Sequence, residues 1–232
     1  FDFAASVQFV FEEVIKDFIN YWVNKTGIKN VGLAGGVFGN VKLNQKIHEL
    51  KSISEIFIFP NMSDGGLAFG ACLDQFPYES RPIKNIYFGP DYSDDEMKTS
   101  ILKNHLEYLT PENAPKKIAS LLNEGKVVAR FGGRMEFGPR ALGNRSILYR
   151  PDIPEVNNWL NKNLQRTEFM PFAPVTLWEH AKDCYLGIEG AERTAEYMTI
   201  TFECTDKMKL NSSGVVHIDG TARPQLIKRE VN

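Results

Sequence analysis

Apolar residues recur at helical steps from the start of the chain. Phe3, Val7, Val10, Phe11, Val14, Phe18 and Tyr21 predict a helix over Phe1 to Trp22, with Asp2 as its cap and Gly27 beyond its end. Val31 to Ala34 reads as a short buried strand running into Gly35-Gly36. Asn40 suits the cap of a second helix carrying Val41, Leu43, Ile47 and Leu50. Ile56 to Phe59 predicts a second strand, stopped by Pro60, and Gly65 to Leu73 a helix of small residues. Helix, strand, glycine turn, helix, strand, loop, helix is an α/β order.

The periodicity fades after that helix. Pro77, Pro82, Gly89 and Pro90 mark 76–92 as a linker between a region at 1–75 and another at 93–232. Ser93-Asp94-Asp95-Glu96 is a capping-box signature. Pro115 to Glu124 and Pro154 to Leu164 predict further helices. Val127 to Phe131, Ile147 to Tyr149, Val175 to Leu177, Tyr197 to Phe202 and Val215 to Ile218 predict strands.

Composition narrows the class. A chain of 232 residues with 43% hydrophobic and 24% charged residues suits one or two globular domains. The net charge of −2 makes no general attraction for nucleic acid, so any anion site is local. The three cysteines, Cys72, Cys184 and Cys204, are odd in number and far apart. They suggest neither a zinc knuckle nor a disulfide framework, and a cytoplasmic location is expected. No stretch approaches the ~20 apolar residues of a membrane span. The opening at Phe1, directly in a helical pattern, suggests a fragment that is inactive by itself.

Several segments carry candidate chemistry. Gly32 to Asn40 places glycines between a strand and a helix, where backbone N–H groups can approach a phosphate. A plain tight turn explains them equally well. Asp64, after a strand and before a helix, suits a metal or ligand hydroxyl, although capping is the commoner use. From Lys126 to Arg150 there are six basic residues and one acid, Glu136. Arginine forks grip phosphate or carboxylate at two points, and Gly132, Gly133, Gly138 and Gly143 suit turns around a small anion. Nucleic-acid binding also suits arginine with aromatics, but no wider basic face accompanies it. Arg166 lies just before Pro171-Phe172-Ala173-Pro174. His217, Asp219, Thr221 and Arg223 surround a glycine turn that a structural cap alone would explain.

Taken together, the Gly-Gly and Asp-Gly-Gly segments resemble the last nucleotide-binding segments of ASKHA-fold proteins, especially their carbamoyl-transferring branch. The run Gly133-Arg134-Met135-Glu136-Phe137-Gly138-Pro139-Arg140-Ala141-Leu142-Gly143-Asn144-Arg145-Ser146 is highly specific. With Pro-Phe-Ala-Pro-Val and His-Ile-Asp-Gly-Thr-Ala-Arg-Pro-Gln it resembles the O-carbamoyltransferases that modify nodulation factors and antibiotics. The likeness covers about residues 3 to 228 and implies a partial ASKHA (actin/hexokinase-like) domain followed by a partial YrdC-like domain. It implies transfer of a carbamoyl group from carbamoyl phosphate, through a carbamoyl-adenylate made with ATP, to a hydroxyl of a small-molecule or glycan acceptor. Gly35, Gly36, Asn44 and Ser146 are thereby expected at nucleotide. Asp64 is expected at a divalent metal, Fe or Mg. Arg140, Arg145 and Arg166 are expected to be catalytic. Arg134, Arg140, Arg145, His217, Asp219, Thr221 and Arg223 are expected to line the carbamoyl-phosphate pocket. The likeness leaves room for a homodimer and implies neither a membrane nor a nucleic-acid partner.

The sequence departs from the family in places. The paired metal-binding histidines are missing, since His48, His105, His180 and His217 are scattered. Leu164 and Met170 stand where many members have Lys and Arg. The family's later Asn-Thr-Ser-Phe-Asn segment does not occur. An ASKHA-type kinase, or a non-catalytic nucleotide- or RNA-binding module of the YrdC type, are the alternative readings.

Overall fold

The structure is a computed structural model and describes residues 2–76, 83–165 and 171–229. Its first elements are α1 (Asp2–Thr26), β1 (Asn30–Leu33), α2 (Val41–His48), β2 (Glu55–Ile58) and α3 (Asp64–Gln75). Next come α4 (Asp94–Lys103), α5 (Ala114–Asn123), β3 (Val128–Phe131) and β4 (Arg145–Leu148). The last are α6 (Glu155–Asn163), β5 (Val175–Leu177), α7 (Ala181–Cys184), α8 (Glu192–Ala195), β6 (Phe202–Glu203), α9 (Asp206–Asn211), β7 (Thr221–Ala222) and β8 (Gln225–Ile227). The architecture is mixed α/β. No helix among the described residues is long and apolar enough to cross a membrane.

Packing divides the chain into Phe1–Glu79 with Pro151–Asn232, and Ser80–Arg150. This grouping differs from a division at a 76–92 linker. In the first unit β1 and β2 are parallel, with Val31 beside Ile56 and Leu33 beside Ile58. The other edge of β2 is covered by residues 190–194. Ile56 N–H donates to Gly190 O at 2.9 Å, Thr194 Oγ1 donates to Ile56 O at 2.9 Å, and Ile58 N–H donates to Thr194 Oγ1 at 3.1 Å. The approach is so close that a Cβ on Gly190 would lie 2.3 Å from Ser54 O, at a φ of +84°. One core joins the two sequence segments: Ile19, Leu33, Leu43, Ile47, Ile56 and Ile58 pack with Tyr185, Ile188, Ile200, Phe202 and Leu226. Further pairings close this unit: β5 with β8, parallel, and β6 with β7, antiparallel.

The first helix forms as expected, ending before Gly27 at φ +72°. Its core-facing residues are Phe11, Ile15, Ile19 and Val23. Phe3, Val7, Val10, Val14, Phe18 and Tyr21 face outward and are exposed. α1 is apolar over most of its circumference, so spacing alone does not choose the buried stripe. The predicted strand at Tyr197 to Phe202 contracts to β6, and the one at Val215 to Ile218 becomes a turn ahead of β7. Thr199 and Thr201 use their polar atoms on neighbouring elements instead of a ladder.

In the second unit β3 and β4 are antiparallel, with Arg130 opposite Ser146 and Phe131 opposite Arg145. The Ser93–Glu96 capping box forms as read from sequence. The segment 83–92 is no free tether. Ile86 is buried, Phe137 N–H donates to Ile86 O at 2.7 Å, Gly89 N–H donates to Met135 O at 2.9 Å, and Met135 N–H donates to Pro90 O at 3.1 Å. Proline and glycine suppress helical and strand periodicity, but the remaining backbone groups still need partners.

Candidate functional site

The glycine turn after β1 is built by its backbone. Gly35 takes φ +119°, donates its N–H to Met62 O at 2.6 Å, and accepts from Phe38 N–H at 3.0 Å. Asn40 then caps α2, its Oδ1 accepting from Leu43 N–H at 3.0 Å. Asn44 is fully buried, and its Nδ2 donates to Phe38 O at 2.8 Å and Thr199 O at 2.7 Å. It therefore locks the glycine turn to the later segment from inside the core. The two sequence segments expected at nucleotide do meet: a Cβ on Gly36 would lie 3.5 Å from Ser63 Oγ, at the start of α3.

Asp64 is an exposed carboxylate in the first turn of α3, where the helix dipole favours it. Among the described residues there is no group of three or more His, Cys, Asp or Glu able to hold a metal. Asp64 supplies one carboxylate, and a divalent cation takes several oxygen ligands, so Asp64 holds a metal only together with ligands from outside these residues.

The turn 217–221 belongs to the same unit. Asp219 Oδ2 accepts from Lys42 Nζ at 2.7 Å, and Oδ1 accepts from Thr221 Oγ1 at 2.7 Å and Thr221 N–H at 3.1 Å. His217 Nδ1 lies 3.1 Å from Thr221 Oγ1. Burial pushes the Asp219 carboxyl up, but the hydrogen bonds from Lys42 and Thr221 and the Lys42 charge outweigh it, bringing it down to about 2. Burial holds His217 below its ordinary value, against the pull of Asp219. Arg223 is half-buried beyond the turn.

The arginine-rich segment lies in the other unit. Arg130 Nη1 donates to Gly143 O and to Asn144 Oδ1 at 2.6 Å. Arg134 donates to Gly89 O at 3.2 Å and Phe88 O at 3.1 Å. Arg145 Nη1 donates to the carbonyls of Gly132, Gly133 and Asn144 at 2.9 to 3.1 Å, while its guanidinium lies 3.7 Å from the Phe131 ring centroid. These guanidinium groups are held in place by carbonyl oxygens and a ring face, which fixes the loop and leaves each with further N–H groups. Ser146 Oγ accepts from Gly143 N–H at 2.9 Å. Arg140 is half-buried, in the chain between Glu136 and Leu142.

The turn encloses a carboxylate of the protein itself. Glu136 is 6% exposed, and its Oε1 accepts from Leu142 N–H at 2.8 Å, Asn144 N–H at 2.7 Å and Arg145 N–H at 3.1 Å. Burial raises its carboxyl, but its own N–H and those of Arg145, Leu142 and Asn144 together hold it below the ordinary value. Sequence marked Glu136 as the lone acid among six bases but gave no sign that it is buried. Lys42 carried no sequence signal at all, because its partner is 177 positions away.

The residues expected to share one pocket thus fall into two groups, Arg134, Arg140 and Arg145 in one unit and His217, Asp219, Thr221 and Arg223 in the other. Arg166 and Met170 lie outside the described residues, while Leu164 is exposed at the end of α6.

Comparison with known proteins covers most of the chain. Residues 1–73 match the family model for the carbamoyltransferase N-terminus and 119–232 that for the carbamoyltransferase C-terminus. An uncharacterised protein of Methanocaldococcus jannaschii is 35% identical over 97% of this chain and 44% of its own length. Nodulation protein NolNO of Sinorhizobium fredii is 31% identical over 100% of this chain and 35% of its own. Nodulation protein NolO of Bradyrhizobium diazoefficiens is 31% identical over 100% of this chain and 44% of its own. The chain therefore spans less than half the length of these relatives. With both terminal family models matched in order, the chain belongs to the carbamoyltransferase family.

Proposed function

We propose that the protein takes part in ATP-dependent O-carbamoyl transfer. Carbamoyl phosphate, ATP and water give a carbamoyl-adenylate, phosphate and pyrophosphate. The adenylate then yields its carbamoyl group to an acceptor hydroxyl, releasing AMP. The observation that carries this reading is the loop from Glu136 to Ser146. The N–H groups of Leu142, Gly143, Asn144 and Arg145 are satisfied internally, so the far side of the loop is a fixed frame for its arginines. A preorganised cation lowers the barrier where phosphate charge develops, because it need not reorient during reaction. Arg140 is the residue assigned to the phosphorylated co-substrate, and Arg145 both braces the loop and adds positive charge. Gly35 and Gly36 are assigned to nucleotide, with Asn44 fixing their turn from behind. The catalytic part of Arg166 belongs to the same proposal. No step is routed through a metal on these residues.

The test is ATP–pyrophosphate exchange that depends on carbamoyl phosphate, measured on the full-length protein. Exchange that is lost by at least a hundredfold in Arg140→Ala is the expected result. Exchange unchanged in that variant refutes the site. Transfer of the γ-phosphate to a hydroxyl supports a kinase instead, and salt-sensitive binding without turnover supports a binding module.

A further inference from the structure

We infer that Glu136 is a positioning residue for the arginine loop: its carboxylate is the anion around which residues 138–145 fold, and this sets the direction of Arg140. The inference rests on the reading of that loop as the carbamoyl-phosphate and ATP site.

The argument begins with the loop's two feet. Glu136 stands at one, and Leu142, Asn144 and Arg145 at the other, joined by three N–H bonds to a single carboxylate oxygen. Charge-assisted bonds of this kind are about twice as strong as neutral ones, and three on one buried acceptor leave the loop little freedom. Gly138 at φ +132° supplies a reversal between the feet and Gly143 at φ +108° one within the second foot, and Arg140 lies in the chain between the feet. A second layer secures the same feet. Asn144 Nδ2 donates to Arg134 O at 2.8 Å, and Gly143 N–H is taken by Ser146 Oγ.

A consequence for recognition follows. The N–H groups of Leu142, Gly143, Asn144 and Arg145 are all engaged within the protein, so they are not the donors for an incoming phosphate. Along 142–145 a phosphorylated ligand is met by side chains and not by backbone N–H. Without the carboxylate, three N–H groups lose their acceptor and the segment carrying Arg140 is no longer fixed.

The experiment pairs two measurements on full-length wild type, Glu136→Gln and Glu136→Asp. Amide hydrogen exchange at Leu142, Asn144 and Arg145 reads the loop. The KM for carbamoyl phosphate and kcat in the pyrophosphate-exchange assay read the site. For Glu136→Gln the expected result is exchange at the three amides at least tenfold faster, and a KM at least tenfold higher with kcat within threefold of wild type. Glu136→Asp keeps the charge and recovers part of both. Faster amide exchange with an unchanged KM means a purely structural role and overturns the inference, as does unchanged amide exchange. Should Glu136→Gln fail to fold, the same two criteria apply to Glu136→Asp with a threefold threshold. Wild type lacking carbamoyl-phosphate-dependent exchange sinks the functional reading itself. A normal wild type with an indistinguishable Glu136→Gln sinks only the role of Glu136.

Discussion

Replacing Asp219 with asparagine isolates one charge in the contact between α2 and the 217–221 turn. Asparagine keeps an oxygen for Thr221 but gives up the ion pair with Lys42, whose Nζ lies 2.7 Å from Asp219 Oδ2. A fall of the carboxyl from 3.8 to about 2 corresponds to roughly 2.5 kcal/mol at 1.36 kcal/mol per unit. The Asp219 side chain is 43% exposed and that of Lys42 35%, so solvent screening cuts this to about 1 kcal/mol. Because the folded value lies below the unfolded one, the contribution is complete above about pH 4 and is lost as pH falls toward 2. About half of it remains at pH 3. Trp22, Trp159 and Trp178 all lie in the unit that contains this contact, so tryptophan fluorescence reports its unfolding. Thermal melts at pH 7 are expected to show Asp219→Asn lower by about 2–4 °C, and melts at pH 3 a gap about half as large. In a Lys42→Met background the effect shrinks, since the partner charge is already gone. A gap equal at both pH values, or one undiminished in the Lys42→Met background, refutes the electrostatic account.

Asn44→Ala removes the two buried donor contacts to Phe38 O and Thr199 O, and about 2–4 kcal/mol of stability should go with them, read by urea titration. Gly190→Ala forces a Cβ to 2.3 Å from Ser54 O at a φ of +84°, and should cost at least about 2 kcal/mol in the same titration. Burial pushes the Cys204 thiol up to about 11, whereas Cys72 is exposed. A thiol reagent at pH 8 should therefore modify Cys72 rapidly in the native protein and reach Cys204 only on unfolding, which mass spectrometry resolves.

Local signals in the sequence were enough to place most elements. Asn40 caps α2 and Ser93–Glu96 caps α4 because capping needs only residues within one helical turn. Gly27 and the runs that form β1 and β2 were legible for the same reason: hydrophobic period and a left-handed stop are properties of neighbouring residues. The α1 stripe shows where this runs out. Two apolar faces share one helix, and only packing against β-strand residues and the later segment selects Ile19 and Val23 for the core.

The density of arginine and glycine at 132–146, and its resemblance to carbamoyltransferases, were properties of the sequence alone. What tertiary structure decided is which atoms those arginines hold and which anion the turn encloses. Carbonyl oxygens of residues 88, 89, 132, 133, 143 and 144 take guanidinium donors, and the only acid in the run turns inward. Residues 181–226 likewise join the core begun by Ile19 to Met62, across more than a hundred intervening positions. Burial and charge pairing depend on which segments meet in space. That choice is made by the summed fit of many weak apolar contacts, and spacing along the chain does not record it.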